Sequence, residues 1–299
     1  MQVAAERTVV APTSQVGAQR LRTTDLPRLA ARYPRVALFG AIILLLILIG
    51  IFAPLLAQYD PIQTAPTHVL EQPSPSHILG TDNVGRDQFT RVIYGTRISL
   101  GVAVIAVTIA LSGGVLMGLA AGYVGGATDQ VLSRLIDALL AFPGVLLAIA
   151  VTSALGPSLR NAMIAVGIIQ IPLYFRLTRG QVLQAREHEY VVAAAVIGAT
   201  HVRILARHIV PNIANPLIVA ASISSSTSIL ALAALGFIGV GPQPPDPDWG
   251  SMINTASGAL SQAPWLSFGP GIAIFLTVFS FSMLGDALRD ALDPRLRIN

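Results

Sequence analysis

The sequence predicts an all-α, polytopic membrane protein with six transmembrane helices and a helical hairpin between two of them. Three observations predict it. Hydrophobic residues make up 53% of the 299 residues and charged residues only 11%, with a mean hydropathy of +0.67; soluble domains carry about 25% charged residues. Uncharged apolar runs recur at close to the ~20 residues that cross a bilayer as a helix. Between the fourth and fifth runs lies a polar-edged, Ala-rich segment, EHEYVVAAAVIGATHVRILARHIVPN, residues 187–212.

Residues 1–30 are polar, dotted with arginine and without periodicity, and are expected to be a mostly disordered tail; residues 31–299 form the membrane domain. The run at 36–57 exceeds the ~7–15 residues of a signal-peptide core and reads as the first span. Residues 58–96 follow as a long polar loop, in which Asp82 and Asp87 alternate with Arg86 and Arg91 and are placed to pair locally. The second span, 98–124, carries Gly114, Gly118 and Gly122 on one helix face, a row that lets another backbone approach closely. The third span, 135–155, starts with Asp137, which pairs with an arginine such as Arg134 or serves as an intramembrane acid, and is interrupted by Pro143-Gly144. The fourth, 159–177, contains Gln170 and Pro172.

In the hairpin segment, Tyr190, Ala193, Ala194 and Ile197 recur at helical spacing on one face. Gly198 stands where a helix C-terminus takes a left-handed residue, and Thr200 is placed to cap a second helix. Val202, Leu205, Ala206 and Ile209 repeat the spacing, with Arg203 and Arg207 on the other side. Pro211 is expected to stop that second helix. A fifth span, 213–240, has a polar centre. Ser224, Ser225, Thr227 and Ser228 there either bond to carbonyls one turn back or line a hydrated path. A Pro-rich loop, 241–265, carries Trp249 and Trp265, a residue type that favours the membrane interface. The sixth span is 266–285.

The composition excludes several functions. All 19 basic residues are arginine, so the chain supplies neither the lysine of a P-loop ATPase nor a Schiff base. Cysteine is absent, which removes thiol chemistry and Cys-metal sites. The five histidines are not expected to form a metal set: His201 and His208 share a helix without a carboxylate cluster. No hydrolase motif and no run of intramembrane acids is present. The net charge of +4 reads better through loop asymmetry than as nucleic-acid affinity. With both termini inside, fifteen arginines fall on the inner side and four outside, which places the hairpin in the cytoplasm of a cell-membrane protein.

These residues resemble a known family. Val192-Ala193-Ala194, Gly198 and Val210-Pro211 fall at the spacing of the EAA loop in permease subunits of ABC importers. HILGTDNVGRDQFTRVIYGTRISL, DALLAFPGVLLAIAV, GFIGVGPQPPDPDWGSM and PGIAIFLTVFSFSMLGDALRDALDPRLR resemble the C-type permease of dipeptide and oligopeptide importers, over roughly residues 35–299. The resemblance implies a type I importer permease fold and a non-catalytic subunit forming half of a translocation pore. It implies a second homologous permease, two cytoplasmic ATPase subunits or domains that bind ATP and Mg, and an extracytoplasmic solute-binding protein. The coupling surface would comprise Glu189, Tyr190, Val192, Ala193, Ala194, Gly198 and Pro211. The motif's glutamate is Val192 here, one turn after Glu189, and His208 replaces an isoleucine. Alternatives from outside this reading are import of a metal chelate or other small solute by the same machinery, and a stand-alone secondary transporter.

Overall fold

The structure, a computed structural model, describes residues 33–292. The expected tail at 1–30 lies outside the described residues, as do residues 293–299. Among the described residues the chain is all-α. Five helices are long and apolar enough to cross a membrane, and a bent pair supplies a sixth crossing if counted as one span.

Helix α1, Pro34–Ile51, is uncharged apart from Arg35, with a proline in its first turn, where the missing N–H costs nothing. The short α2, Ala53–Leu56, extends it. Helix α3, Gln88–Val124, is 37 residues long, about 55 Å at 1.5 Å per residue, against a hydrocarbon core of ~30 Å. It begins ten residues before the expected span because Asp87 caps it, accepting from Thr90 N–H at 2.8 Å, and because the loops bury its polar first turns.

The third span is not one helix. Gly126–Leu140 (α4) and Gly144–Leu155 (α5) meet at 90°, with Pro143 at the N-cap of α5. At 12 residues, or about 18 Å, α5 is too short to cross alone. Helix α6, Leu159–Ala185, is capped by Ser158 and carries Pro172 inside.

The glycine row of α3 forms a tight seam with α6. A Cβ on Gly114, Gly118 or Gly122 would stand 2.5, 2.7 or 2.9 Å from the Cβ of Tyr174, Thr178 or Val182 on α6. Two four-residue ladders therefore run against each other, and any side chain added on the α3 side would push the helices apart.

After the short helix α7, Glu189–Val196, the chain forms one 38-residue helix, α8, His201–Ile238. Pro211 does not stop it, contrary to expectation. Leu205–Ile209 is π-helical, and Val210 N–H donates to Leu205 O, five residues back. The wider turn makes room at the point where the proline offers no N–H and its ring would crowd the carbonyl below. The hairpin's second arm is therefore the start of the fifth span.

Helix α9, Trp249–Ser257, lies within the expected loop, and α10, Trp265–Leu292, closes the described chain. Helix α8 packs on α3, α6, α9 and α10, while α1 lies against α10 and α3. Residues 57–87 and 241–264 share one end of the bundle, where Gln88 Nε2 donates to Leu266 O at 2.8 Å and Arg91 Nη1 donates to Pro245 O at 3.1 Å. The hairpin lies at the other end, where Tyr123 of α3 meets His201, O to Nδ1 2.9 Å.

Candidate functional site

The hairpin is built on a complete glycine C-cap. Gly198 has φ +83°, Ala199 N–H donates to Ala194 O and Gly198 N–H to Ala195 O, both at 3.0 Å. This pair of bonds satisfies the last carbonyls of α7 and turns the chain. Thr200 Oγ1 then accepts from Arg203 N–H at 3.4 Å and opens α8. Both expectations for the turn hold.

The inward face differs from the expected one. Val191 and Ala194 are the buried residues of α7, and Ile204, Ile209, Ile213 and Leu217 continue the same core on α8. The five-residue step from Ile204 to Ile209 is the π turn; the later steps are four. Of the expected stripe Tyr190, Ala193, Ala194 and Ile197, only Ala194 is buried. The α7 helix is apolar on nearly every side, so two stripes competed, and packing chose the one containing Val191.

The other apolar side stays uncovered. Val196 is 81% exposed, Ile197 84% and Val202 75%, with Val192 half exposed. Ala193 and Glu189 are exposed as well. Glu189 lies in the first turn of α7, where an acid complements the helix dipole. Tyr190 is held sideways: its hydroxyl accepts from Asn212 Nδ2 at 3.0 Å, and its ring stacks on His188 at 5.6 Å. Beside the turn, Ala194, Ile197, Gly198, Arg203, Arg207 and His208 line an open cleft of about 320 Å³. Together these make an apolar ridge next to a basic cleft. Pro211, by contrast, lies within α8, one turn past this surface.

Ion pairs brace the helices leading to the hairpin. Arg179 of α6 grips Asp129 of α4 with two bonds, 2.5 and 2.7 Å. Asp137 pairs with Arg176 at 3.1 Å, not with Arg134; the partner is distant in sequence and adjacent only through the α4–α6 packing.

In the hydroxyl row of α8, three of the four residues take the first of the two expected arrangements and bond back to their own helix, Ser225 to Ala221 O, Thr227 and Ser228 to Ser224 O, while Ser224 Oγ does not. Ser224 and Ser228 are buried, Ser225 is half-buried and Thr227 exposed. Gln170 of α6 donates to Ser228 Oγ at 2.6 Å and accepts from Thr227 at 3.3 Å. The row thus contributes to the α6–α8 contact and presents Thr227 at its edge.

The opposite end pairs most of its buried charges within the chain. Arg86 Nε lies 2.6 Å from Asp82 Oδ2, the expected local pair, whereas Asp87 takes His77 at 2.8 Å instead of an arginine. Arg91 is buried and donates to Pro61 O at 2.7 Å. Trp249 is not an interface anchor: it is fully buried and donates from Nε1 to Val92 O at 3.0 Å. Asp248, the buried N-cap of α9, accepts from Ser251 N–H at 2.9 Å. Burial pushes its carboxyl up to about 6, the bonds from Ser251 and Gly250 offsetting only part of that.

Comparison with known proteins matches this geometry. Residues 33–73 match the N-terminal TM domain of oligopeptide transport permease C. The dipeptide transport system permease protein DppC of Alkalihalophilus pseudofirmus is 47% identical over 264 residues, 88% of this chain and 87% of that protein. The glutathione transport system permease protein GsiD of Pectobacterium atrosepticum is 43% identical over 86% of each chain, and the probable D,D-dipeptide transport system permease protein DdpC of Escherichia coli is 40% identical over 99% and 98%. An amino acid ABC transporter crystallised with histidines superposes with a TM-score of 0.54 at 18% identity, over 68% of this chain and 94% of that one, so the fold is that of an ABC transporter permease. Residues 114–298 match the binding-protein-dependent transport system inner membrane component, and the chain belongs to that family.

Proposed function

We propose that this chain is one half of the translocation pore of an ATP-driven importer of dipeptides or short oligopeptides. It pairs with a second, homologous permease and receives substrate from a solute-binding protein. Two cytoplasmic ATPase subunits or domains bind ATP and Mg and drive it. The observation that carries the reading is the uncovered ridge of Val192, Val196, Ile197 and Val202 on a rigid Gly198 turn. Each fully buried Val- or Ile-sized side chain contributes ~1.5–3 kcal/mol, so three or four make a stable joint with an ATPase groove. Arg203 and Arg207 add a basic rim for acidic residues of that groove, and Glu189 supplies the acid that Val192 lacks.

In this mechanism, ATP binding closes the ATPase pair and draws the two hairpins together. Helix α8, continuous from the turn into the membrane, carries the motion to the pore. Chemistry belongs to the ATPases, consistent with a chain that has no lysine. The peptide substrate is supported by the relatives named as dipeptide and glutathione permeases. The arginine distribution supports placing both termini and the hairpin in the cytoplasm.

The test is reconstitution of this chain, its partner permease, the ATPases and the binding protein in vesicles, followed by uptake of a labelled dipeptide. Uptake is expected only with ATP and all subunits. Dipeptide or ion-coupled flux through this chain alone would establish the secondary-transporter reading instead, and uptake of a metal chelate but not peptide would reassign the cargo.

A further inference from the structure

We propose that His68, Glu71 and His77, on the loop between α2 and α3, form a binding site for a divalent transition-metal ion of the Zn2+ class. Ligand atoms of the three residues lie within 4.8 Å of one another. Two imidazoles and one carboxylate are a donor set suited to Zn2+ with an open fourth position; Ca2+ and Mg2+ prefer oxygen ligands throughout.

The arrangement is held from behind. Asp87, buried as the cap of α3, lies 2.8 Å from His77 Nδ1. With Nδ1–H donating to that carboxylate, Nε2 keeps its lone pair, as in metal-bound histidines backed by a carboxylate. His68 Nδ1 lies 2.6 Å from Glu71 Oε1, so one proton joins two donors that an ion would join in its place. Thr81, fully buried, fixes both of those residues through the backbone: its hydroxyl accepts from Glu71 N–H at 2.9 Å and donates to His68 O. His77 is fixed by its own turn, its N–H donating to Ser74 Oγ at 3.1 Å and its carbonyl accepting from Gly80 N–H at 2.9 Å. Leu70, between the first two ligands, holds a left-handed φ of 55°.

The surroundings favour a cation. The site borders a cavity of about 400 Å³ that Asp60, Glu71 and Asp87 also line. The Tyr59 ring stacks on His77 at 4.8 Å and the two imidazoles approach to 6.0 Å. A bare ion pair between His68 and Glu71 requires neither the second imidazole nor its carboxylate backing. The expectation of no metal set rested on His201 and His208; these three residues are brought together by a loop fold that spacing alone does not reveal. A bound ion would tie the 68–77 segment to the start of α3.

The test uses the full chain purified with its partner subunits in detergent, stripped with a chelator and titrated with Zn2+ against a chromophoric competitor, with bound metal counted by elemental analysis. One Zn2+ per chain is expected. His68→Ala and His77→Ala abolish it, and Glu71→Gln weakens it. Asp87→Asn, which keeps an acceptor for the α3 cap but removes the acid behind His77, weakens it about 10–100-fold. Because His68 and Glu71 are partly exposed, those variants keep their helical circular dichroism. His201→Ala/His208→Ala, at the opposite end, retains the ion. Zn2+ binding by wild type no tighter than by the His68→Ala/His77→Ala variant overturns the proposal, as does loss of the ion in the His201/His208 variant alone.

Discussion

At the loop end of the molecule, Arg91, Asp82, Asp248 and Trp249 are buried and their partners belong to the same chain. At the hairpin end, Val196 and Ile197 are more than four-fifths exposed on a turn that is otherwise fully hydrogen-bonded. One end has covered its costly groups; the other has fixed its backbone and left its apolar side chains bare. A buried charge and an exposed isoleucine are both expensive in isolation, but only the second is relieved by another protein. The contrast separates an end that pairs its buried charges within the chain from an end that leaves its largest apolar side chains bare.

Substitutions sharpen that contrast. The largest loss of stability is expected for Trp249→Ala, which empties the centre of the loop end and removes the bond from Nε1 to Val92 O, at about 3–5 kcal/mol, measured by thermal unfolding in detergent. Asp82→Ala should cost a similar or slightly smaller amount, about 3 kcal/mol, because it leaves Arg86 and Arg91 buried without their acid. Little change in either would mean that the loop end is no better sealed than the hairpin.

Asp248 gives the comparison a pH dependence. Its folded pKa, raised to about 6 from 3.8, means the folded chain binds the proton more tightly than the unfolded one. That contribution is fully present below about 3.8 and is lost as pH rises through about 6. Asp248→Asn, which keeps the cap, should therefore stabilise the chain by on the order of 1–3 kcal/mol at pH 8, and by much less at pH 4. Equal melting shifts at both pH values would exclude an ionised buried Asp248.

At the hairpin, effects on stability shrink while effects on transport grow. A Cβ added at Gly198 meets no neighbour within 4 Å, so the main cost of Gly198→Val is the left-handed backbone, about 1–2 kcal/mol; uptake should be lost while the spans still insert. Ile197→Asp should change stability by less than about 0.5 kcal/mol and abolish co-purification of the ATPase subunits. A variant that still transports would remove the ridge from the coupling surface.

Apolar runs made the spans legible, and the Gly198–Thr200 turn was legible because its geometry is local. What escaped depends on remote partners. The first ten residues of α3 mix apolar side chains with Gln88, Thr90, Arg91, Thr96 and Arg97 and become helical because two loops bury most of them. Helix α9 forms around Trp249, whose hydrogen bond reaches 157 residues away. Asp137 found Arg176 rather than the nearer Arg134. Pro211 reads locally as a stop, and the π turn before it is a backbone adjustment that no spacing rule announces. The face of α7 that packs inward could not be chosen from a helix apolar all round.

The uninterrupted course of α8 has a mechanical consequence. Thirty-eight residues make a rod about 57 Å long, packed near one end on α9, where Gly250 lies directly against the backbone of Ala233, with the Gly198 turn beyond its other end. A 10° tilt about the middle of such a lever moves each tip by about 5 Å. The π turn sets a weak joint one-fifth of the way along, so a push on the hairpin is divided between bending at Leu205–Ile209 and swinging the whole arm, and the stiffness of those five residues fixes the ratio.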